Sequence, residues 1–190
     1  MTENKKYREL IESLKGRKPV RVLFVCLGNI CRSPAAEAMM LDVAEKAGAS
    51  GRWIIDSAGT GSYHTGDLAD PRMRSHASRR GLRLLHRARQ VRASDFDDFD
   101  LIIPMDNNNL RNLRALAPTE EAQAKLIPMA EFLDGGQFGR EIPAEERLLS
   151  RTAGYDHIPD PYYEGAEGFE LVLDMLGQGC ANLLKAVTSD

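Results

Sequence analysis

Val20-Arg21-Val22-Leu23-Phe24-Val25 is a nearly continuous apolar, β-branched run that ends in Cys26. Such a run suits a strand buried on both faces of a parallel sheet. The chain then passes through Leu27-Gly28-Asn29-Ile30-Cys31-Arg32 to Ser33-Pro34, residue types that open helices, and Ala35–Leu41 is rich in helix formers. Trp53–Asp56, Asp100–Met105 and Lys125–Met129 read as a second, third and fourth strand, with helical segments between them. This alternation predicts an α/β sandwich with right-handed crossovers. A last helix is expected over Glu167–Val187, where Phe169, Val172, Leu173, Leu176, Cys180, Leu183 and Leu184 recur at helical spacing.

Two segments stand outside this rhythm. Residues 1–19 carry Tyr7, Leu10, Ile11 and Leu14 at i, i+3, i+4 and i+7, a short amphipathic helix that either docks on the body or stays loose. Residues 134–158 begin with the polar, glycine-bearing Gly135-Gly136-Gln137-Phe138-Gly139; a connection this long in a compact domain is usually a functional or a mobile loop. A chain of 190 residues with 43% hydrophobic content fills one core and not two, so residues 20–190 are read as one domain behind an N-terminal extension. No apolar stretch approaches the roughly 18 residues of a membrane span. Met1-Thr2-Glu3-Asn4-Lys5-Lys6 leads into no apolar segment, which is unlike a secretory signal and points to the cytoplasm. Three cysteines, Cys26, Cys31 and Cys180, are too few and odd for a disulfide framework and suit a reducing compartment. A net charge of −3 argues against nucleic acid as a general partner, though not against a local basic site.

The chemistry concentrates in Cys26-Leu27-Gly28-Asn29-Ile30-Cys31-Arg32-Ser33. Inward-turned loop amides and the N-terminal N–H groups of the following helix present several donors to a tetrahedral oxyanion. Gly28 and Asn29 are residues that tolerate the positive φ such a cradle requires. Arg32 adds a planar fork matching two phosphate oxygens. The same positive field favours the thiolate of Cys26, and Ser33 is placed to donate a hydrogen bond to it. A cysteine closing an apolar strand is most often an inert buried thiol; glycine, asparagine, arginine, serine and a helix start within eight residues tip the balance toward a nucleophile. Phosphoryl transfer to a thiolate also needs a proton donor for the departing oxygen. Asp160-Pro161-Tyr162-Tyr163 is the best candidate, because it follows the last expected strand and so belongs on the sheet edge where ligands gather. Alone, Asp160 would read as a turn residue before proline.

Val22–Glu37, with this loop at its centre, resembles the signature of the low-molecular-weight protein tyrosine phosphatases, and the likeness continues through Asp56-Ser57-Ala58-Gly59-Thr60, Asp70-Pro71-Arg72, His86-Arg87-Ala88-Arg89-Gln90, Met105-Asp106 and Asp160–Tyr163. The resemblance covers most of residues 20–187. It implies a three-layer α/β sandwich with a four-stranded parallel sheet flanked by helices and a phosphate loop after strand one. It further implies Cys26 as nucleophile, Arg32 as phosphate clamp, and Asp160 as general acid. Leu27, Gly28, Asn29, Ile30, Cys31 and Ser33 complete the phosphate loop, Tyr63, Tyr162 and Tyr163 wall the pocket, and His86 and Asp106 support it. The implied reaction hydrolyses phosphotyrosine on a protein, such as a tyrosine kinase tail, and releases inorganic phosphate, with no metal or cofactor. In that family a pair such as Cys26 and Cys31 can close into a protective disulfide; the plainer reading has Cys31 packing under the loop.

The sequence departs from the family pattern at Leu68, where proline is common, in the leading 1–19 segment, and in the lengthened stretch before Asp160, which could serve as a lid or substrate contact. Thioredoxin-coupled arsenate reductases share the loop but need further cysteines, and none occurs between Cys31 and Cys180. Protein arginine phosphatases resemble it with threonine at the position of Ile30, so Ile30 favours an aryl phosphate. A phosphate-binding module without turnover is the remaining alternative. Residues 72–92 hold eight arginines and no acid. They read as a solvated face and basic loop, or as a rim steering acidic substrates to the pocket.

Overall fold

The alternation within the first apolar run decides the layering. The computed structural model describes residues 3–134 and 157–189. In strand β1 (Val20–Cys26), Val20, Val22, Phe24 and Cys26 face one apolar cluster while Leu23 and Val25 face a second. The strand is therefore buried on both sides, as its lack of polar alternation demands. Before it lies α1 (Glu3–Leu14); after it come α2 (Arg32–Lys46), β2 (Trp53–Gly59), α3 (Pro71–Arg79) and the single turn α4 (Asp95–Asp98). Strand β3 (Leu101–Pro104), α5 (Asn107–Leu116), the short α6 (Glu120–Gln123) and α7 (Ala166–Thr188) complete the order. The sheet is parallel, in the order β2-β1-β3, with Cys26 opposite Gly59 and Val25 opposite Pro104.

The larger cluster packs α2 and α7 on one face, with Phe169, Val172, Leu173, Leu176, Cys180 and Leu183 forming the buried stripe of α7. The smaller cluster packs Phe96, Phe99, Leu110 and Leu113 on the other. Helices on both faces thus give the three-layer arrangement expected.

The four-stranded sheet is corrected to three strands among the described residues. Lys125–Met129 meets β3 only at an isolated parallel bridge, Ile102 with Leu126. The Ile102 N–H donates to the Lys125 carbonyl at 2.9 Å and the Ile127 N–H to the Ile102 carbonyl at 3.2 Å. The next donor of that ladder would be Pro104 on β3, facing the Ile127 carbonyl, and it has no N–H; the chain then turns into a 3₁₀ segment at Met129–Phe132. Strand β2 runs three residues beyond the expected Asp56, to Gly59.

Helix α1 lies on the body: Tyr7, Ile11 and Leu14 are buried in the larger cluster. The Arg52 guanidinium, which donates to the carbonyls of Lys15 and Val187, ties the end of this segment to the end of α7. The expected long connection over 134–158 falls almost wholly outside the described residues. Among the described residues no helix is long and apolar enough to cross a membrane.

Because all three strands run the same way, their carboxyl ends open onto one edge. The loop after β1, the loop after β2 and Met105-Asp106 after β3 converge there.

Candidate active site

Cys26 ends β1 and is 3% exposed. The chain wraps from it through Leu27–Cys31 into α2, whose first residue is Arg32. Asn29 sits at φ +55°, the left-handed region. Its amide holds the loop from within. Nδ2 donates to the Ser33 and Ser57 hydroxyls, each at 2.9 Å, while Oδ1 accepts from His86 Nε2 and from the Arg89 N–H, each at 2.9 Å. His86, expected as a supporting residue, is thus placed against the Asn29 amide inside the loop.

Ser33 Oγ lies 3.0 Å from Cys26 Sγ and 3.3 Å from the Ala58 carbonyl. Its oxygen already accepts from Asn29, and its one hydrogen has two possible acceptors. A thiolate at Cys26 attracts that hydrogen; a thiol leaves it to Ala58. Ser33 is therefore poised to respond to the charge on sulfur.

Beneath the loop lies backbone. A Cβ at Gly59 would stand 2.7 Å from the Leu27 carbonyl oxygen and 3.1 Å from the Asn29 nitrogen, so no side chain fits. The Thr60 N–H donates to the Cys26 carbonyl at 2.9 Å and the Gly61 N–H to the Leu27 carbonyl at 2.8 Å. These bonds tether the next loop, which carries Tyr63 and His64, to the phosphate loop.

Arg32 is 2% exposed and its guanidinium meets two carboxylates, Asp106 at 2.6 Å and Asp160 at 2.8 Å, as well as the Ile158 carbonyl at 3.1 Å. Burial alone would lower its pKa; Cys26, Asp160 and Asp106 outweigh that and hold the charge on. Asp106 caps α5 through the Asn109 N–H at 2.7 Å, so its position is fixed by a helix. Asp160 caps the turn Pro161–Tyr163, with Oδ1 accepting from the Tyr162 N–H at 3.2 Å.

These residues enclose a cavity of about 210 Å³ lined by Cys26, Leu27, Gly28, Ile30, Cys31, Arg32, Tyr63, His64, Asp160, Tyr162 and Tyr163. Eleven residues from three stretches of chain meet there, and all but His64 belong to the expected set. His64 ring carbon Cδ2 would lie 3.2 Å from a Cβ at Gly28, and its Nδ1 lies 3.3 Å from Asp67. The three tyrosines stand at the mouth, with Tyr63 79% and Tyr163 93% exposed. An anion-binding site with an aromatic collar fits a phosphate on a flat, apolar stem.

Behind the loop, Glu37 accepts from the Ser57 hydroxyl at 2.6 Å and lies 3.2 Å from His86 Nδ1, with Asp56 at 3.4 Å from the same nitrogen. Burial, reinforced by Asp56, pushes the Glu37 carboxyl up to about 7 despite the Ser57 bond. Burial lowers the His86 pKa against the pull of Asp56. Sequence reasoning did not single out Glu37 as a site residue, and nothing in its helical context marks it. The Ile158 carbonyl, a backbone group, was equally invisible.

Cys26, Cys31 and Cys180 are all free thiols. Burial, with Asp70 second, pushes the Cys31 thiol far up, and burial does the same to Cys180, a core thiol as expected. Seven of the eight arginines of the run are exposed and Arg89 is half-buried. Arg79 and Arg80 pair with Glu170, Arg80 also with Asp174, and Arg89 with Asp56 and Asp95. Bonds from His76 and Arg80 draw the Glu170 carboxyl down to about 2. Arg72, by contrast, lies beside the aromatic collar, with Cζ 5.2 Å from the Tyr162 ring centre.

Residues 21–143 match the family described as low molecular weight phosphotyrosine protein phosphatase. A low molecular weight protein-tyrosine-phosphatase of Streptomyces coelicolor is 43% identical over 168 residues, 88% of this chain and 93% of that protein. The crystal structure of a protein tyrosine phosphatase from Entamoeba histolytica with Hepes in its active site is similar with a TM-score of 0.74 at 41% identity, over 87% of this chain and 94% of that one. A Drosophila arginine phosphatase is also similar, with a TM-score of 0.72 at 30% identity over 92% and 99% of the two chains.

Proposed function

The chain belongs to the low molecular weight phosphotyrosine protein phosphatase family, and we propose that it hydrolyses protein phosphotyrosine at the Cys26 cavity through a phosphocysteine intermediate. The observation that carries this reading is the meeting of Cys26 sulfur, Arg32 guanidinium and Asp160 carboxylate in one cavity walled by tyrosines. Cys26 thiolate attacks phosphorus as the bond to the tyrosyl oxygen breaks, and Asp160 gives that oxygen its proton. Water then attacks phosphorus, the sulfur–phosphorus bond breaks, Asp160 takes the water proton, and phosphate leaves. Arg32 and the N-terminus of α2, where Cys31 supplies no side-chain cap, hold the equatorial oxygens. Ser33 donates to the sulfur when it carries charge.

Asp160 supports this sequence by position: its Oδ2 lies 2.8 Å from Arg32 Nη2, so the carboxyl stands beside the group that binds the phosphoryl oxygens. Ile30, 8% exposed and lining the cavity, gives the stem an apolar wall, which favours an aryl phosphate over a phosphoguanidinium. A phosphotyrosine protein, for instance a kinase tail clustered with tyrosines, is the corresponding partner. Three free thiols suit a reducing, cytoplasmic setting.

Phosphate release from phosphotyrosine, phosphoserine and phosphoarginine peptides, and reduction of arsenate, measured on wild type and Cys26→Ser, tests the reading. Turnover of phosphotyrosine alone, lost in Cys26→Ser, is expected. Faster turnover of phosphoarginine would assign the site to the guanidinium substrate instead, and turnover surviving in Cys26→Ser would remove Cys26 as nucleophile.

A further inference from the structure

Arg72 joins the phosphate loop to the acid loop without belonging to either. Its backbone N–H and Nε donate to Asp70 Oδ1 at 2.8 and 3.0 Å, and Nη2 donates to Asp70 Oδ2 at 2.8 Å. Asp70 is itself fixed to the phosphate loop, its N–H bonded to the Ile30 carbonyl at 2.8 Å. The fork is thus held in plane by a carboxylate anchored beside the cavity. The guanidinium carbon lies 5.2 Å from the Tyr162 ring centre and 5.0 Å from that of Phe169. Phe169, in the first turn of α7, is buried and stacked on His76 at 5.4 Å, so that side of the contact is rigid. Tyr162 is the less enclosed partner: it is a collar residue, 37% exposed, on a three-residue turn. The Tyr162 N–H is also one of the donors that orient the Asp160 carboxylate.

We infer that Arg72 is a positioning residue for proton transfer: its guanidinium, fixed by Asp70 and lying between the Phe169 and Tyr162 rings, holds Tyr162 in place and so sets the distance from Asp160 to the departing oxygen. This rests on the reading of Asp160 as general acid. The contact is a cation over an aromatic face, and neither group touches phosphorus. Loss of the contact should therefore spare anion binding and weaken protonation of the leaving group. An arginine that merely stabilised the fold would instead lower all activities together.

The test compares wild type, Arg72→Met and Arg72→Lys on phenyl phosphate, whose leaving group needs a proton, and on 4-nitrophenyl phosphate, whose leaving group does not. In Arg72→Met, kcat for phenyl phosphate is expected to fall about tenfold and kcat for 4-nitrophenyl phosphate by less than about threefold, a fraction of a full general-acid contribution. Competitive inhibition by inorganic phosphate should stay within about twofold of wild type, since the Cys26 loop is intact. Arg72→Lys keeps the charge but not the fork, and should recover part of the loss. A double-mutant cycle with Tyr162→Leu guards against an indirect effect: the two losses on phenyl phosphate should be less than additive. Equal losses on the two substrates, or additive losses in the cycle, would overturn the role of Arg72. If wild type shows no leaving-group sensitivity to Asp160→Ala, the general-acid reading fails first and takes this inference with it.

Discussion

Asn29 makes four hydrogen bonds from a left-handed backbone, and its replacement separates the two contributions. In Asn29→Ala, the His86 Nε2–H and the Arg89 N–H lose their acceptor in a half-buried site, while Ser33 and Ser57 lose a donor but keep other partners. An orphaned donor costs about 1–3 kcal/mol, so two give roughly 2–4 kcal/mol after partial re-solvation. A Cβ without asparagine's local bonding at φ +55° adds about 1 kcal/mol. The expected total is about 3–5 kcal/mol, about a fifth or more of the roughly 5–15 kcal/mol stability of an ordinary domain. Asn29→Gly suffers the same orphaned donors without the steric cost, and should be about 1 kcal/mol more stable than Asn29→Ala. Urea unfolding at neutral pH, followed by ellipticity, measures both. Equal stability of the two variants would refute the backbone argument, and a loss under about 1 kcal/mol in Asn29→Ala would mean that the network braces nothing.

Three further outcomes follow from the same geometry. Because the folded pKa of Glu37, about 7, lies above its ordinary carboxyl value, folding holds a proton there. Its stabilising share is complete below about 4.5 and disappears as pH rises through 7, by at most on the order of 3 kcal/mol. Glu37→Gln should flatten that part of the stability–pH curve, and an unchanged slope would contradict the assignment. Ile11→Ala should destabilise by about 2–4 kcal/mol in thermal or urea unfolding, since Ile11 is 1% exposed in the larger cluster; no effect would mean that α1 does not dock in solution. Ser33→Ala should lower kcat roughly 10- to 100-fold, the scale of one preorganised bond to a charged sulfur, while leaving KM for an aryl phosphate within about threefold. A rise in KM with kcat intact would place Ser33 in substrate binding instead.

Much of the fold could be read from runs whose physics is local. Val20–Cys26 has only Arg21 as a polar interruption, so burial on both faces was already implied, and the stripe of α7 from Phe169 to Leu183 announced its own buried side. The fourth strand failed where a local pattern needed a distant partner: Lys125–Met129 has strand composition, but Pro104 on β3 lacks the N–H that would donate to the Ile127 carbonyl and extend the ladder. The site divides in the same way. Cys26, Asn29 and Arg32 are contiguous and chemically distinctive, so their meeting required no knowledge of the tertiary structure. Glu37 and His64 acquire meaning only from what lies opposite them, a serine on β2 in one case and a glycine of the phosphate loop in the other. The arginines of residues 72–92 show the converse. A dense basic run suggested an outward surface, and all but Arg89 are exposed; what the run could not show is that Arg80 and Arg89 find their acids on distant segments, Glu170 and Asp174 or Asp56.

The backbone bed under the phosphate loop has a consequence for how the chain tolerates change. Gly59 bears no functional group and never meets a substrate, yet any replacement must lift Leu27 and Asn29 off the strand beneath them. A mutational survey scored by turnover would therefore rank Gly59 beside Cys26, although one is a reagent and the other only a surface. Two such positions can be told apart by what survives: a loss at Cys26 should leave a well-shaped receptor for phosphate, whereas a loss at Gly59 should deform the receptor itself.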